Sequence, residues 1–269
     1  MTAEVPARAV TDMRGPDAER KRDGSRSSLV LEVLEEVIAA RAARSGRTVL
    51  DVVDVGAGTG GLAVSIAGRG HRVTVVDPSP DALAAARWRA AEAGVTLTEV
   101  QGEAGDLPAL VGEPSAGGTG ADLVICHNVL EYVDSPSAAL AAIARVLRPG
   151  GTVSVLAANS VAAVLQRALV GKYAEARAML PGTAPAPETA TGPGTAARRF
   201  TLPELTALIE GAGLRVGEVH GIRIFSSLLP GAGADPATAE ALRELEEAAA
   251  TCPPLRDIAA RLHVLAHKH

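Results

Sequence analysis

The stretch that decides the fold is VVDVGAGTGG, residues 52–61, in which an apolar strand runs into a glycine-rich turn and then into a helix. Glycine lacks a Cβ, so such a turn adopts positive φ at little cost and lets a ligand lie against the main chain. The helix that follows begins with N–H groups that have no partner inside the helix. The stretch therefore predicts a ligand-binding turn at the end of a buried strand.

The spacing of the glycines matches two cofactor-binding patterns. Gly56, Gly58 and Gly61 fit the dinucleotide fingerprint G-x-G-x-x-G. Asp54 with Gly56, Gly58 and Gly60 fits the pattern D-x-G-x-G-x-G of S-adenosylmethionine (SAM) methyltransferases. The choice between the two depends on the rest of the chain.

Composition limits the class of protein. The chain has 269 residues, of which 47% are hydrophobic and 21% charged, which is enough for one large α/β domain or for two small ones, and we favour one. No apolar run approaches the roughly 20 residues that span a bilayer, and the first residues contain no apolar core of a signal peptide. We therefore expect a soluble, cytoplasmic protein without a membrane partner. The net charge of −5 argues against broad nonspecific binding of nucleic acid.

Cysteine and histidine spacing indicates neither a disulfide nor a metal site. The two cysteines, Cys126 and Cys252, lie far apart, and the six histidines show no paired ligand spacing apart from the terminal His267 and His269. We therefore expect no metal.

The N-terminal segment differs from the rest of the chain. Residues 1–25 are polar, mix both charge signs and show no apolar period, which predicts a flexible segment. From Ser27 to Arg44 the apolar residues follow a helical period. Residues 26–269 are expected to form the single domain.

Strands and helices alternate from residue 48 to residue 157, as in a doubly wound parallel sheet with right-handed crossovers. The predicted strands are 48–55, 72–77, 96–101, 122–126 and 152–157, and the predicted helices are 61–67, 80–93 and 137–147.

Residues 159–199 interrupt this alternation. They contain an apolar helical patch followed by a stretch rich in Pro, Gly, Ala and Thr, which predicts an inserted lid or substrate-binding segment. The alternation then resumes with a helix at 203–210, a strand at 214–219 or onward to 225, a helix at 236–249 and a strand at 261–266.

Two carboxylates follow the next predicted strands, where open parallel sheets bind ligands. Asp77 lies about 20 residues after Gly56, where a carboxylate accepts both hydroxyls of a ribose. Its alternative role is a helix N-cap ahead of Pro80. Asp106, in a loop with Gly105, is a candidate acceptor for an adenine amine, or else a turn residue.

The fourth predicted strand ends at His127. This position favours a contact with the cofactor or a place near the transferred methyl group, and the alternative is a structural histidine. Asn128 and Glu131 share its loop, and Glu131 is alternatively the start of a solvated helix.

Four segments together resemble the Rossmann-like class I SAM-dependent methyltransferases. They are residues 52–60, the second strand end at 75–77, CHNVLEYV at 126–133 and VLRPGG at 146–151. The resemblance implies a seven-stranded sheet whose last strand is antiparallel, with 214–225 paired to 261–266. It also implies SAM as the cofactor and leaves the dinucleotide interpretation as the weaker one. The cofactor-binding residues so implied are Arg26, Asp54, Gly56, Ala57, Gly58, Gly60, Asp77, Gly105, Asp106 and His127.

A narrower resemblance covers the C-terminal half. GIRIF at 221–225, ELE at 244–246 and AARLHVLA at 259–266 are similar to bacterial tRNA 5-carboxymethoxyuridine methyltransferases. This implies tRNA as the partner and the carboxylate of a modified wobble uridine as the methyl acceptor. It also implies that Arg26 reaches the methionyl carboxylate of SAM.

A carboxylate acceptor places few demands on the enzyme. It is ionised at neutral pH and needs no general base, but it needs a cation to orient it. Arg223 is the first candidate because a guanidinium pairs bidentately with a carboxylate, and its alternative role is a solvated strand arginine. Arg199, beside Phe200, is the second.

Two other functions compete with tRNA methylation. A small-molecule O- or N-methyltransferase is favoured by the negative charge and by an aromatic content of only 2%. A SAM-binding protein without transferase activity is the third class, which the intact glycine turn disfavours.

Overall fold

Seven strands form one sheet in the order β3-β2-β1-β4-β5-β7-β6. The computed structural model describes residues 16–114, 120–180, 198–229 and 235–269, with side chains of the first helix described from residue 29. The strands are β1 Asp51–Val55, β2 Arg72–Asp77, β3 Thr98–Gln101, β4 Ala121–His127, β5 Leu147–Ala158, β6 Arg215–Ile222 and β7 Arg261–His267. The helices are α1 Pro16–Ser45, α2 Gly61–Ala67, α3 Pro80–Glu92, α4 Leu107–Val111, α5 Pro136–Val146, α6 Ser160–Leu169, α7 Tyr173–Ala178, α8 Leu202–Gly211 and α9 Pro236–Ala249.

The sheet is mostly parallel, and β7 runs antiparallel to both β5 and β6. The predicted α/β architecture and the pairing of the last two strands are therefore confirmed. Strand β1 pairs with β2 on one side and with β4 on the other, so the strand order reverses at β1. A crevice at such a reversal is where open sheets bind ligands.

Helices cover both faces of the sheet. On one face, apolar residues of α1, α2 and α3 pack on the strands, with Leu34 and Ile66 fully buried. On the other face, α5 and α8 contribute Leu140, Ile143 and Ile209 to the larger core cluster. Burial of these side chains supplies most of the favourable free energy that holds the layers together.

The structure differs from the predictions mainly at element ends. Helix α1 begins at Pro16 rather than at Ser27. Proline is favoured in the first turn of a helix, and the charged residues that follow have good helix propensity, so the helix extends without an apolar period. Of the N-terminal segment predicted to be flexible, residues 1–15 lie outside the described part, and for 16–25 the backbone alone is described.

Strand β5 begins at Leu147 rather than at residue 152, because Leu147 pairs with Ala121 and the LRPGG turn joins the sheet. The short helix α4 was not predicted. In the segment expected to be a lid, α6 and α7 are described and residues 181–197 are not, so its role stays a prediction. None of the described helices is both long enough and apolar enough to cross a membrane.

A buried carboxylate holds the amino end of β4. Asp122 accepts hydrogen bonds from Arg41 (Nε 3.1 Å), Arg47 (Nη1 2.5 Å), Arg148 (Nη1 2.8 Å) and the main-chain N–H of Asp51 (3.0 Å). Charge-assisted bonds of this kind are the strong ones in proteins. They join α1, β1, β4 and β5 at the edge of the sheet opposite to the ligand crevice.

Candidate functional site

A cavity of about 480 Å³ opens at the carboxyl ends of β1 and β4. Its volume lies in the range of small-molecule binding sites. The lining residues are Val30 and Leu31 of α1, Asp54, Gly56, Ala57 and Thr59 of the first turn, Gly61, Leu62 and Ser65 of α2, Arg89 of α3, and His127, Asn128 and Leu156.

Different structural features account for glycine at positions 56, 58 and 60 of the turn. All have positive φ, at 64° for Gly56, 53° for Gly58 and 71° for Gly60. A Cβ on Gly56 would lie 2.5 Å from Val129, and one on Gly60 would lie 2.7 Å from the Cβ of Ala86. A Cβ on Gly58 would meet no atom within 4 Å. Packing therefore requires Gly56 and Gly60, whereas Gly58 leaves open space where a ligand can approach the main chain.

Asp77 is tied to the glycine turn. Its Oδ2 accepts the N–H of Gly58 at 3.0 Å, and its Oδ1 accepts the N–H of Ser79 at 2.9 Å. The interpretation of Asp77 as a helix cap is wrong, because Ser79 caps α3 by accepting the N–H of Ala82. Each carboxylate oxygen has a second lone pair and can accept a further hydrogen bond. Asp77 is buried and does not line the 480 Å³ cavity, so its contact with a ribose stays a prediction.

Asp54 is a buried carboxyl group at the cavity. It is 4% exposed and lines the cavity. Burial, assisted by the charge of Asp77, raises the pKa of Asp54 to about 7. A buried carboxyl group that lines a cavity fits a ligand that brings a positive charge.

Gly105 and Asp106 are exposed and lie on a 3-10 turn, Ala104–Asp106, that follows β3. The N–H of Gly102 donates to the carbonyl of Asp77 at 3.3 Å, so this turn leaves the sheet beside Asp77. Neither Gly105 nor Asp106 lines the 480 Å³ cavity. Their contact with an adenine stays a prediction.

His127 lines the cavity and is held by a side-chain hydrogen bond to the neighbouring strand β5. Its Nε2 lies 2.7 Å from the hydroxyl of Ser154. Burial lowers the pKa of His127 to about 3, so the imidazole is neutral at physiological pH.

Asn128 and Glu131 are held by an arginine that sequence reasoning did not single out. Nη1 of Arg261 donates to Oδ1 of Asn128 and lies 3.4 Å from Oε1 of Glu131, which also accepts the N–H of Ala158 at 2.7 Å. Glu131 is buried, so its interpretation as the start of a solvated helix is wrong. Arg261 is distant in sequence, and no local pattern marked it.

The two acceptor candidates lie at the same edge of the sheet as the cavity. Arg223 follows the end of β6 and has φ at 60°, a rare conformation for a residue other than glycine. The carboxylate of Glu246 accepts the next three N–H groups, those of Ile224 (2.6 Å), Phe225 (3.0 Å) and Ser226 (2.7 Å). The loop is therefore built around Glu246.

Arg199 is exposed and lies beside the end of β5, because the N–H of Phe200 donates to the carbonyl of Ala158 at 2.9 Å. Arg26 lies in α1 one turn before Val30, but its side chain is outside the described residues, so its contact with the cofactor stays a prediction. In the described ranges, no group of three or more His, Cys, Asp or Glu is arranged to hold a metal ion.

Comparisons with known proteins agree with this geometry. A family model described as a methyltransferase domain matches residues 53–153. A ubiquinone biosynthesis O-methyltransferase of Xanthomonas axonopodis pv. citri (strain 306) is 33% identical over 188 residues, covering 70% of each chain. The tRNA 5-carboxymethoxyuridine methyltransferase of Escherichia coli (strain K12) is 27% identical over 245 residues, covering 90% of this chain and 88% of that one. The solved magnesium protoporphyrin IX methyltransferase from Synechocystis PCC 6803, with bound SAH, has a TM-score of 0.55 at 15% identity, covering 96% of this chain and 90% of that one.

Proposed function

This chain belongs to the SAM-dependent methyltransferases, and from that premise we propose that it methylates a carboxylate-bearing acceptor, with a carboxymethoxyuridine of tRNA as the first candidate. When bound, SAM supplies a methyl group already activated on its sulfonium. The residues described above fit this cofactor: Gly58 leaves the turn open, Asp77 offers acceptors for the ribose, and Asp54 offers a carboxylate for a positive group. The chain then has to orient the acceptor and exclude water.

The position of Arg223 is the observation that carries the choice of acceptor. Strand β6 runs in the same direction as β5, because both are antiparallel to β7. Its carboxyl end, with Arg223, therefore lies at the edge that holds the cavity. Arg199 and Arg261 are placed at the same edge, beside the end of β5. An ionised carboxylate requires such cations and no general base. The tRNA methyltransferase relative, which aligns over 90% of this chain, supports the same acceptor.

Arg223→Ala is expected to lower kcat/KM for tRNA about 10- to 100-fold, since one bidentate charge-assisted pair is lost. The affinity for SAM is expected to stay unchanged. Steady-state kinetics with tRNA, together with calorimetric titration of SAM, measure the two effects. The control is Arg215→Ala, an exposed arginine at the other end of β6. A wild-type rate in Arg223→Ala would contradict the proposed carboxylate clamp.

The identity of the acceptor is tested by mass spectrometry of tRNA nucleosides from a deletion strain. Loss of the methyl ester of carboxymethoxyuridine, with the free acid accumulating, is the expected result. An unchanged nucleoside profile would exclude this tRNA substrate and leave the methyltransferase assignment intact.

A small-molecule acceptor is the second candidate. The net charge of −5 and the 33% identity to a ubiquinone biosynthesis O-methyltransferase favour it. Salt dependence separates the two candidates, because neutralised phosphates release counterions and make tRNA binding weaken steeply with salt. A small acceptor would show little dependence on salt.

The affinity for SAM is expected to increase as the pH rises from 5.5 to about 8 and then to level off, because a group with a pKa of about 7 is only half ionised at pH 7. The pKa of Asp54 is about 7, so the carboxyl group is protonated at the lower pH and cannot attract the positive charge of the cofactor. The dissociation constant should fall at most about tenfold per pH unit over this window. Calorimetric titration across the range measures the slope. The same titration of Asp54→Asn should be flat, and a flat wild-type curve would refute the role of Asp54.

A further inference from the structure

Two buried histidines, His220 and His263, a partly buried one, His127, and a serine form a polar row across four neighbouring strands, on the sheet face that α1 covers. Ser154 of β5 has its Oγ 2.7 Å from Nε2 of His127 on β4 and 2.7 Å from Nε2 of His263 on β7. The ring of His263 stacks on that of His220 of β6, with centroids 5.4 Å apart. Ser154 and His263 are fully buried. The row begins at the cavity with His127 and continues into the core.

The single proton of the Ser154 hydroxyl limits how this row can be protonated. A hydroxyl donates one hydrogen bond and accepts up to two, so Ser154 can donate to only one of the two histidines. The other histidine must donate from Nε2 to Oγ. If both histidines donated, the hydroxyl proton would be buried without an acceptor among the described residues. Two arrangements remain in which both hydrogen bonds form. Ser154 either donates to His127 and accepts from His263, or donates to His263 and accepts from His127.

The environment of His263 separates these two arrangements. Its Nδ1 is buried and has no hydrogen-bond partner in the described part of the chain. If Ser154 donated to His263, the ring proton of His263 would sit on Nδ1 as a buried N–H without a partner, which is rare and costly. If His263 donates from Nε2, its proton is used and Nδ1 is left only with an unmatched lone pair. The second arrangement is therefore the favoured one.

We propose that Ser154 and His263 are positioning residues that hold His127 as the neutral Nδ1–H tautomer. In this arrangement Ser154 donates to Nε2 of His127, so the ring proton of His127 lies on Nδ1. His127 lines the cavity, and Ser154 occupies its Nε2, so Nδ1 is the ring nitrogen left for a ligand there. The cavity is thus offered a hydrogen-bond donor, suited to a carboxylate or carbonyl oxygen of a ligand, and not a base.

The inference rests on the proposed function in one respect: it takes this cavity to be the pocket that binds SAM. It can be tested without turnover or acceptor, by long-range proton–nitrogen NMR correlation on protein labelled with ¹⁵N-histidine. The signals of His127 are assigned from the spectrum of His127→Gln. We expect a protonated Nδ1 and an unprotonated Nε2 for His127, and the reverse for His263. A wild-type His127 that carries its proton on Nε2 would overturn the proposal, whatever the acceptor is.

The role of Ser154 is tested by Ser154→Ala. This variant should shift His127 to a mixture of tautomers and weaken the binding of S-adenosylhomocysteine about fivefold. The matched control is Thr152→Val, which removes a hydroxyl paired with His267 at 3.0 Å on the same two strands. The control should keep both the tautomer and the affinity. An unchanged tautomer in folded Ser154→Ala would refute the positioning role.

Discussion

The variant Asp77→Ala is expected to bind SAM at least about 100-fold more weakly than the wild-type protein, because two kinds of contact are lost together. The carboxylate no longer offers acceptors to the ribose, and the N–H of Gly58 loses the partner that holds the turn. Each hydrogen bond to a charged group is worth about 1.5–3 kcal/mol. Calorimetric titration of SAM measures the loss, and a thermal unfolding curve checks that the variant is folded.

Two further variants make the test of Asp77 specific. Asp81→Ala removes an exposed carboxylate from the first turn of α3, close in sequence to Asp77, and should leave the affinity unchanged. Asp77→Asn keeps an acceptor oxygen but loses the charge, so its affinity should be intermediate. If Asp77→Ala bound SAM within about threefold of the wild type, Asp77 would have no part in the cofactor site.

The variant Asp122→Ala is expected to lower the free energy of unfolding by about 3–5 kcal/mol, since it removes the carboxylate from a buried ion-pair cluster. Arg41, Arg47 and Arg148 would then face one another, although Arg47 and Arg148 would keep their bonds to Asp51 at 2.8 Å. The N–H of Asp51 would also lose its acceptor. Urea denaturation of the wild type and the variant measures the difference.

The control for Asp122 is an ion pair at the surface. Glu113→Ala breaks the exposed pair with Arg145, and such pairs contribute no more than about 1 kcal/mol. A loss for Asp122→Ala as small as that for Glu113→Ala would show that the buried cluster does not stabilise the fold. The affinity for SAM should change little in either folded variant, because Asp122 lies at the opposite edge of the sheet.

The local pattern of the chain was sufficient for most of the architecture. The alternation of strands and helices, with glycines at 56, 58 and 60, predicts Asp54, Asp77 and His127 at strand ends. Parallel strands bring their carboxyl ends to one edge, so these residues lie at the same edge of the sheet. Element ends were less accurate, as in α1 and β5, because charged helix formers and a turn that pairs with a distant strand leave no apolar period.

The long-range contacts of the site and of the opposite edge of the sheet could not be predicted in this way. Arg261 reaches Asn128 across 133 positions, and Arg41 reaches Asp122 across 81. No feature of the sequence distinguishes Ser154 from other strand residues, yet its hydroxyl forms hydrogen bonds with both His127 and His263. A period of two residues tells which face of a strand a side chain occupies, but not which strand will lie beside it.

The sequence by itself determined the sheet, the glycine turn and the edge at which the cavity lies, because these follow from local periodicity and from the conformational freedom of glycine. Only the tertiary structure decided which partners surround each side chain. The order of the strands set β7 between β5 and β6 and so brought Ser154, His263 and Arg261 to the site. Hydrogen bonds and charge pairs depend on distances of a few ångströms, and those distances exist only after distant segments have packed.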